Sequence, residues 1–202
     1  MMRAFCRAQP ALYSPLSMAS GTHSLKKRLD RPIVLVGLMG AGKSTVGRRL
    51  ARRLDLPFVD SDAAIEDAAG LSAGEVFQRY GEADFRDGER RLVARLVDGP
   101  VRVIATGGGA YVNDQTRKLL NDRAITVWLD APVDLLAERT ARRPETRPML
   151  KDGDRTETLA KLIEQRRPSY AEAHIRIPSS GAGHGAVVEA IIAALERHLP
   201  GP

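Results

Sequence analysis

Ile33-Val-Leu-Val36-Gly37-Leu-Met-Gly40-Ala41-Gly42-Lys43-Ser44-Thr45 is the stretch that decides the fold. A short apolar run ends in a glycine-rich turn, and the turn closes on Lys-Ser at the start of an amphipathic helical stretch, Lys43–Leu54. This is the phosphate-binding loop pattern in the strand-to-helix context that makes it credible. Gly37, Gly40, Ala41 and Gly42 let backbone N–H groups converge on phosphate oxygens, and the following helix adds its positive dipole end. Lys43 supplies a charge for the β- and γ-phosphates, the Ser44 hydroxyl suits Mg²⁺, and Thr45 completes the motif. A bare turn has no use for Lys-Ser at that position.

Outward from the loop, short apolar runs alternate with amphipathic helices, the signature of a parallel α/β sheet. Strands are expected near Ile33–Val36, Phe58–Val59, Val101–Ala105, Ile125–Leu129 and Ile175–Ile177. Helices are expected over Lys43–Leu54, Ala63–Ala69, Ala73–Tyr80, Ala83–Val97, Asp114–Asn121, Pro132–Arg142, Arg155–Glu172 and Ala186–His198. Ser72 and Glu75 have capping-box spacing, and Gly70 suits a helix C-cap. Phe85, Leu92 and Leu96 share one helical stripe, with Arg86 and Glu89 a turn apart on a different side.

The 202 residues suit one domain, and 43% hydrophobic with 28% charged residues excludes a disordered or membrane-spanning chain. Cys6 is the sole cysteine, which excludes a disulfide framework and a cysteine-rich metal site and fits a reducing compartment. The net charge of +6 is uneven: residues 1–30 carry Arg3, Arg7, Lys26, Lys27 and Arg28 against Asp30 alone, leaving 31–202 only +2. That leader, with Pro10, Pro15 and Gly21, shows no apolar periodicity and is expected to be a disordered basic extension, with an organelle-targeting segment as the minor alternative. Residues 31–202 form the expected single domain.

Other residues belong near a transferred phosphoryl group. Asp60-Ser61-Asp62 follows the second strand, where ligands of open α/β sheets bind. One acid can hold Mg²⁺ through water and the other can aim an acceptor hydroxyl; the bland alternative makes Asp62 a helix N-cap. Gly107-Gly108-Gly109 after the third strand permits close approach of a ligand, and Thr106 is a weak candidate for a metal-bound water. Arg139, Arg142, Arg143 and Arg147 precede Gly153 in a stretch that suits a closing lid, about 142–153. Arg86 and Arg166, supported by Glu89, suit a clamp for a substrate carboxylate. Switch GTPases are disfavoured because no Asn-Lys-x-Asp box occurs. His23, His174, His184 and His198 are scattered and receive no catalytic role.

From about Ile33 to Ile177 the ordered set closely resembles the shikimate kinases of the nucleoside-monophosphate-kinase-like P-loop fold. The set is the phosphate loop, Asp60-Ser-Asp62, Phe85-Arg86 with Glu89, the Gly107–Gly109 triplet, Arg147-Pro-Met-Leu150 and Arg166-x-Pro-x-Tyr170. The resemblance implies a three-layer α/β fold with a five-stranded parallel sheet of order 2-3-1-4-5, a mobile lid and a substrate region at about 60–97. It implies Mg²⁺-dependent transfer of the ATP γ-phosphate to the 3-hydroxyl of shikimate, with Asp62, Lys43 and Arg147 catalytic. Asp62, Arg86, Glu89, Gly107, Gly108, Gly109 and Arg166 would bind substrate, Ser44 and Asp60 the metal, and Arg147 and Arg143 the nucleotide. It also implies a cytoplasmic monomer without nucleic-acid or membrane partners. A kinase of another hydroxylated metabolite, such as gluconate, is the rival, followed by a non-catalytic nucleotide-binding relative.

Overall fold

The computed structural model describes residues 24–142, 154–179, 181 and 183–201. The elements run β1 (Ile33–Val36), α1 (Lys43–Leu54), β2 (Phe58–Asp60), α2 (Ser61–Ala69), α3 (Ala73–Val97), β3 (Val103–Ala105), a 3₁₀ turn (Ala110–Val112), α4 (Asp114–Arg123), β4 (Ile125–Asp130), α5 (Val133–Ala141), α6 (Arg155–Tyr170), β5 (Ile175–Pro178) and α7 (His184–His198). The five strands pair in parallel in the order β2-β3-β1-β4-β5, as the resemblance implied.

Strand position explains the sequence of each strand. Central β1 is buried at all four residues, so it is an unbroken apolar run. Edge strand β5 alternates buried and exposed residues. From β1 the chain goes out to edge strand β2 and returns through β3, whereas β4 lies on the other side of β1. The order thus reverses at β1, and the crevice beyond the carboxyl ends of its neighbours opens there. Gly37 turns the chain into that crevice with φ at 136°, and a Cβ there would lie 2.7 Å from the Leu129 carbonyl oxygen.

Local chemistry places the helix ends around the crevice. Asp60 caps α2 by accepting from the Asp62 N–H at 3.2 Å. The cap is therefore Asp60, which removes the bland alternative of a capping role for Asp62, because the chain is still extended at Asp60 and already helical at Ser61. Ser72 and Glu75 form the reciprocal capping box. The two helices expected between Ala73 and Val97 run together as α3, bent at Gly81, whose φ of 82° and ψ of 171° are non-helical. In α3 the buried seam is Glu89, Val93 and Val97, while Phe85 and Leu92 line an apolar groove against Ile65 and Ala68 of α2.

Residues 24–30 correct the expected boundary at 30/31. Residues 24–28 are helical, and Leu25 and Leu29 are 0% and 6% exposed within the main core. Arg28 donates to the carbonyls of Glu196, Leu199 and Pro200 at the end of α7 (3.2, 2.8 and 2.9 Å), and Lys26 pairs with Asp55 at 2.7 Å. A segment this short shows no periodicity, so only its tertiary partners reveal it. The remainder of the predicted extension, 1–23, lies outside the described residues. Among those described, no helix is long and apolar enough to cross a membrane.

Candidate active site

The phosphate loop is built by backbone geometry. Gly42 precedes α1 in a left-handed conformation, and no acid occupies the first turn of α1, so no side chain of that turn offsets the positive end of the helix. Lys43 Nζ donates to the carbonyls of Gly37 and Leu38 at 2.8 and 3.0 Å, folding its charge over the loop. Arg139 closes the loop from α5, its Nη1 donating to the carbonyls of Gly40 and Ala41 at 3.3 and 3.4 Å.

The loop opens into a cleft of about 500 Å³ lined by Lys43, Ser44, Asp60, Asp62, Thr106 and Gly108, with Arg48, Arg139, Arg142 and His184 at its sides. A phosphate end and an acceptor end thus share one space. Ser44, Asp60 and Asp62 face it with hard oxygen donors, which fits a Mg²⁺ ion that keeps several waters. No group of three or more His, Cys, Asp or Glu side chains placed to hold a metal ion occurs among the described residues, so a metal here needs phosphate and water as its remaining ligands. Thr106 is buried, and its hydroxyl donates to the Leu35 carbonyl at 3.2 Å.

The acceptor end is organised around the glycine triplet. A Cβ on Gly107 would lie 2.6 Å from Asp62 Oδ1 and 2.9 Å from Glu89 Oε1, and one on Gly109 would lie 3.0 Å from Arg86 Nη2. The Gly107 N–H donates to the buried Ser61 hydroxyl at 3.1 Å, fixing the loop against α2. The Gly108 carbonyl accepts from Arg166 at 3.1 Å and from the Tyr170 hydroxyl at 2.5 Å. Asp62, Arg86, Glu89 and Arg166, which come from three helices, therefore meet on three consecutive glycines.

Electrostatics set the charge states. Glu89 is 3% exposed and pairs with Arg86 at 2.7 Å. Burial pushes its carboxyl up, the Arg86 guanidinium pulls it back, and Asp62 adds to the rise. Burial pushes the Tyr170 phenol up to about 12 despite Arg166 nearby, so it remains a donor to Gly108. Tyr170 is stacked between Tyr111 and Trp128, with ring centroids 6.4 and 5.9 Å away.

Of the residues expected from sequence, the structure brings together the phosphate loop, Asp60, Asp62, Arg86, Glu89, the triplet and Arg166. Arg143, Arg147 and most of the expected lid lie outside the described residues. Arg139, grouped with the lid arginines though within the expected helix Pro132–Arg142, lies in helix α5 and turns against the phosphate loop. Arg48 and His184 carry no motif of their own, and the cleft reveals them; Tyr170 ends a quoted motif, but only its bond to the Gly108 carbonyl gives its hydroxyl a role.

Sequence and structure comparisons agree with this geometry. The shikimate kinase family model matches residues 39–196. A shikimate kinase of Caulobacter vibrioides is 52% identical over 167 residues, covering 83% of each chain. One from Rhodopseudomonas palustris is 50% identical over 170 residues, 84% of this chain and 83% of that one. The solved shikimate kinase of Acinetobacter baumannii in complex with shikimate superposes with a TM-score of 0.80 at 35% identity, covering 89% of this chain and 97% of that one. With a phosphate loop facing a carboxylate-and-arginine pocket across one cleft and these relatives spanning nearly the whole domain, the chain belongs to the shikimate kinase family.

Proposed function

We propose that this chain transfers the γ-phosphoryl group of ATP to the 3-hydroxyl of shikimate, giving shikimate 3-phosphate and ADP. The observation that carries the reading is the convergence of Asp62, Glu89, Arg86 and Arg166 on Gly107–Gly109 beside the phosphate loop. Two guanidinium groups beside a hydroxyl-aiming carboxylate suit a small hydroxylated carboxylic acid.

Phosphoryl transfer depends on in-line positioning and charge compensation more than on a strong base. The glycine-rich loop and Lys43 hold the phosphates at the N-terminus of α1. Asp62 aims the acceptor hydroxyl and takes its proton. Arg86 and Arg166 grip the substrate carboxylate, with Glu89 fixing the Arg86 guanidinium and the Gly108 carbonyl holding Arg166. Ser44, and Asp60 through water, would hold Mg²⁺, which when bound neutralises phosphate charge. Arg147 would reach the phosphates from the lid and Arg143 the adenine. A cytoplasmic monomer is part of the proposal.

A coupled ADP-release assay comparing shikimate, gluconate and quinate tests it. Shikimate is the expected acceptor, and release with gluconate but not shikimate overturns the assignment. Asp62→Asn should lower kcat by about 10²–10⁴-fold with ADP binding retained; near-normal turnover removes Asp62 from its role.

A further inference from the structure

His184 opens α7 directly after Gly183, with no side-chain cap at that helix end. It lines the cleft beside Lys43 and Ser44. A Cβ on Gly42 would lie 3.5 Å from both Cδ2 and Nε2 of its ring and 3.6 Å from Arg139 Nη1. The imidazole edge and the Arg139 guanidinium therefore meet on the last glycine of the phosphate loop.

The charges around that ring are mostly positive. Helix α1 brings Lys43, Arg48 and Arg49, and α5 brings Arg139 and Arg142. The acids of the cleft, Asp60 and Asp62, stand at the β2–α2 junction, the acceptor end. On α7 itself, Glu189 pairs with Arg53 at 3.3 Å. Burial first, then Arg139 and Arg49, hold the imidazole below its ordinary value of 6.5. A triphosphate or diphosphate entering the loop brings negative charge close to the ring and offsets part of the arginines' repulsion, which favours the protonated imidazole.

We propose that nucleotide binding is coupled to protonation of His184: when the polyphosphate enters beside the ring, the imidazole takes up a proton from solvent at a ring nitrogen and becomes a cationic contact for it. This deepens the kinase reading above and rests on it. Coupling is reciprocal, so protons must tighten nucleotide binding by the same factor by which nucleotide tightens the proton. The sign is fixed. The free protein holds fewer protons than the complex in the window between the depressed free value and the bound value, and affinity rises as pH falls through that window.

The test is isothermal titration of the full chain with Mg-ADP near pH 6.5, in two buffers of different ionisation enthalpy, for the wild type and for His184→Gln. Titration of the nucleotide phosphates is common to both proteins and cancels in the difference. The wild type should take up several tenths of a proton more than the variant, and its Kd should tighten about 3–10-fold more between pH 8 and pH 6. His184→Asn should repeat the result, and the KM for shikimate at saturating ATP should stay unchanged in both variants. Equal proton uptake in wild type and variants overturns the coupling while leaving the kinase assignment standing. Failure of the folded wild type to bind Mg-ADP overturns both.

Discussion

Replacing Gly107 by alanine probes the tightest point of the acceptor end. The new methyl would lie 2.6 Å from Asp62 Oδ1 and 2.9 Å from Glu89 Oε1, where ordinary contact begins at 3.4 Å. The two carboxylates must therefore retreat by roughly 0.8 and 0.5 Å. Both are ends of flexible side chains, so the fold can absorb the change while the chemistry cannot. Retreat of Glu89 also pulls on Arg86 through their 2.7 Å contact. A misplacement near 1 Å costs on the order of 10²-fold in rate. We expect kcat to fall about 10–100-fold, the KM for shikimate to rise several-fold, Mg-ADP affinity to hold, and Tm to move by no more than about 4 °C. Steady-state ADP release reads kcat and KM, calorimetric titration the affinity, and scanning calorimetry Tm. A kcat within about twofold of wild type would refute the reasoning, because Asp62 would then not need its position. A Tm loss beyond about 10 °C would refute it differently, placing the strain in the backbone. Gly37→Ala gives the contrast: its methyl would meet the backbone carbonyl of Leu129 at a φ of 136°, so folding itself should suffer.

Other outcomes follow from the same geometry. Leu25→Ala removes a fully buried side chain from the segment joined to α7 and should cost about 2–5 kcal/mol in urea unfolding, with kinetics at 25 °C unchanged; a loss below about 0.5 kcal/mol would detach that segment from the core. Burial raises the Glu89 carboxyl, so the ionised form that holds Arg86 is lost on acidification at a pH above the ordinary 4.5. The acid limb of kcat/KM for shikimate should lie there in the wild type and be missing from Glu89→Gln. Tyr170→Phe deletes one of two donors to the Gly108 carbonyl and should raise the KM for shikimate about 3–10-fold with kcat nearly unchanged; the opposite split would place Tyr170 in the transferring step.

How legible each part was depended on the range of the interactions that define it. The phosphate loop, the Ser72 capping box and the Gly70 cap are complete within a few residues, and the strand and helix pattern around them was equally local. The acceptor pocket is not: Arg166 and Gly108 are 58 positions apart in the chain, and spacing alone could not bring them together without the family resemblance. Arg139 shows the same limit from the other side. In a string of arginines it looks like a lid residue, and only the phase of α5 turns it onto the carbonyls of Gly40 and Ala41. Glu89 hid the buried seam of α3, since a carboxylate breaks an apolar stripe until Arg86 is seen beside it. These cases bear on the excess of arginine over lysine, 25 against 6 within the 31 basic residues. Arg28 spans three carbonyls at the end of α7, and Arg117 joins Asp114 and Glu172 while also donating to the Val112 carbonyl. A planar guanidinium can bridge several acceptors at once, whereas an ammonium group lacks that fixed fork. Much of the basic charge is thus spent on carbonyls and carboxylates of the fold itself, and three of the five basic residues in the first thirty, Lys26, Lys27 and Arg28, lie in its helical segment. The described arginines that face the cleft or its glycine triplet, Arg48, Arg86, Arg139, Arg142 and Arg166, match a phosphorylated nucleotide and a small carboxylate.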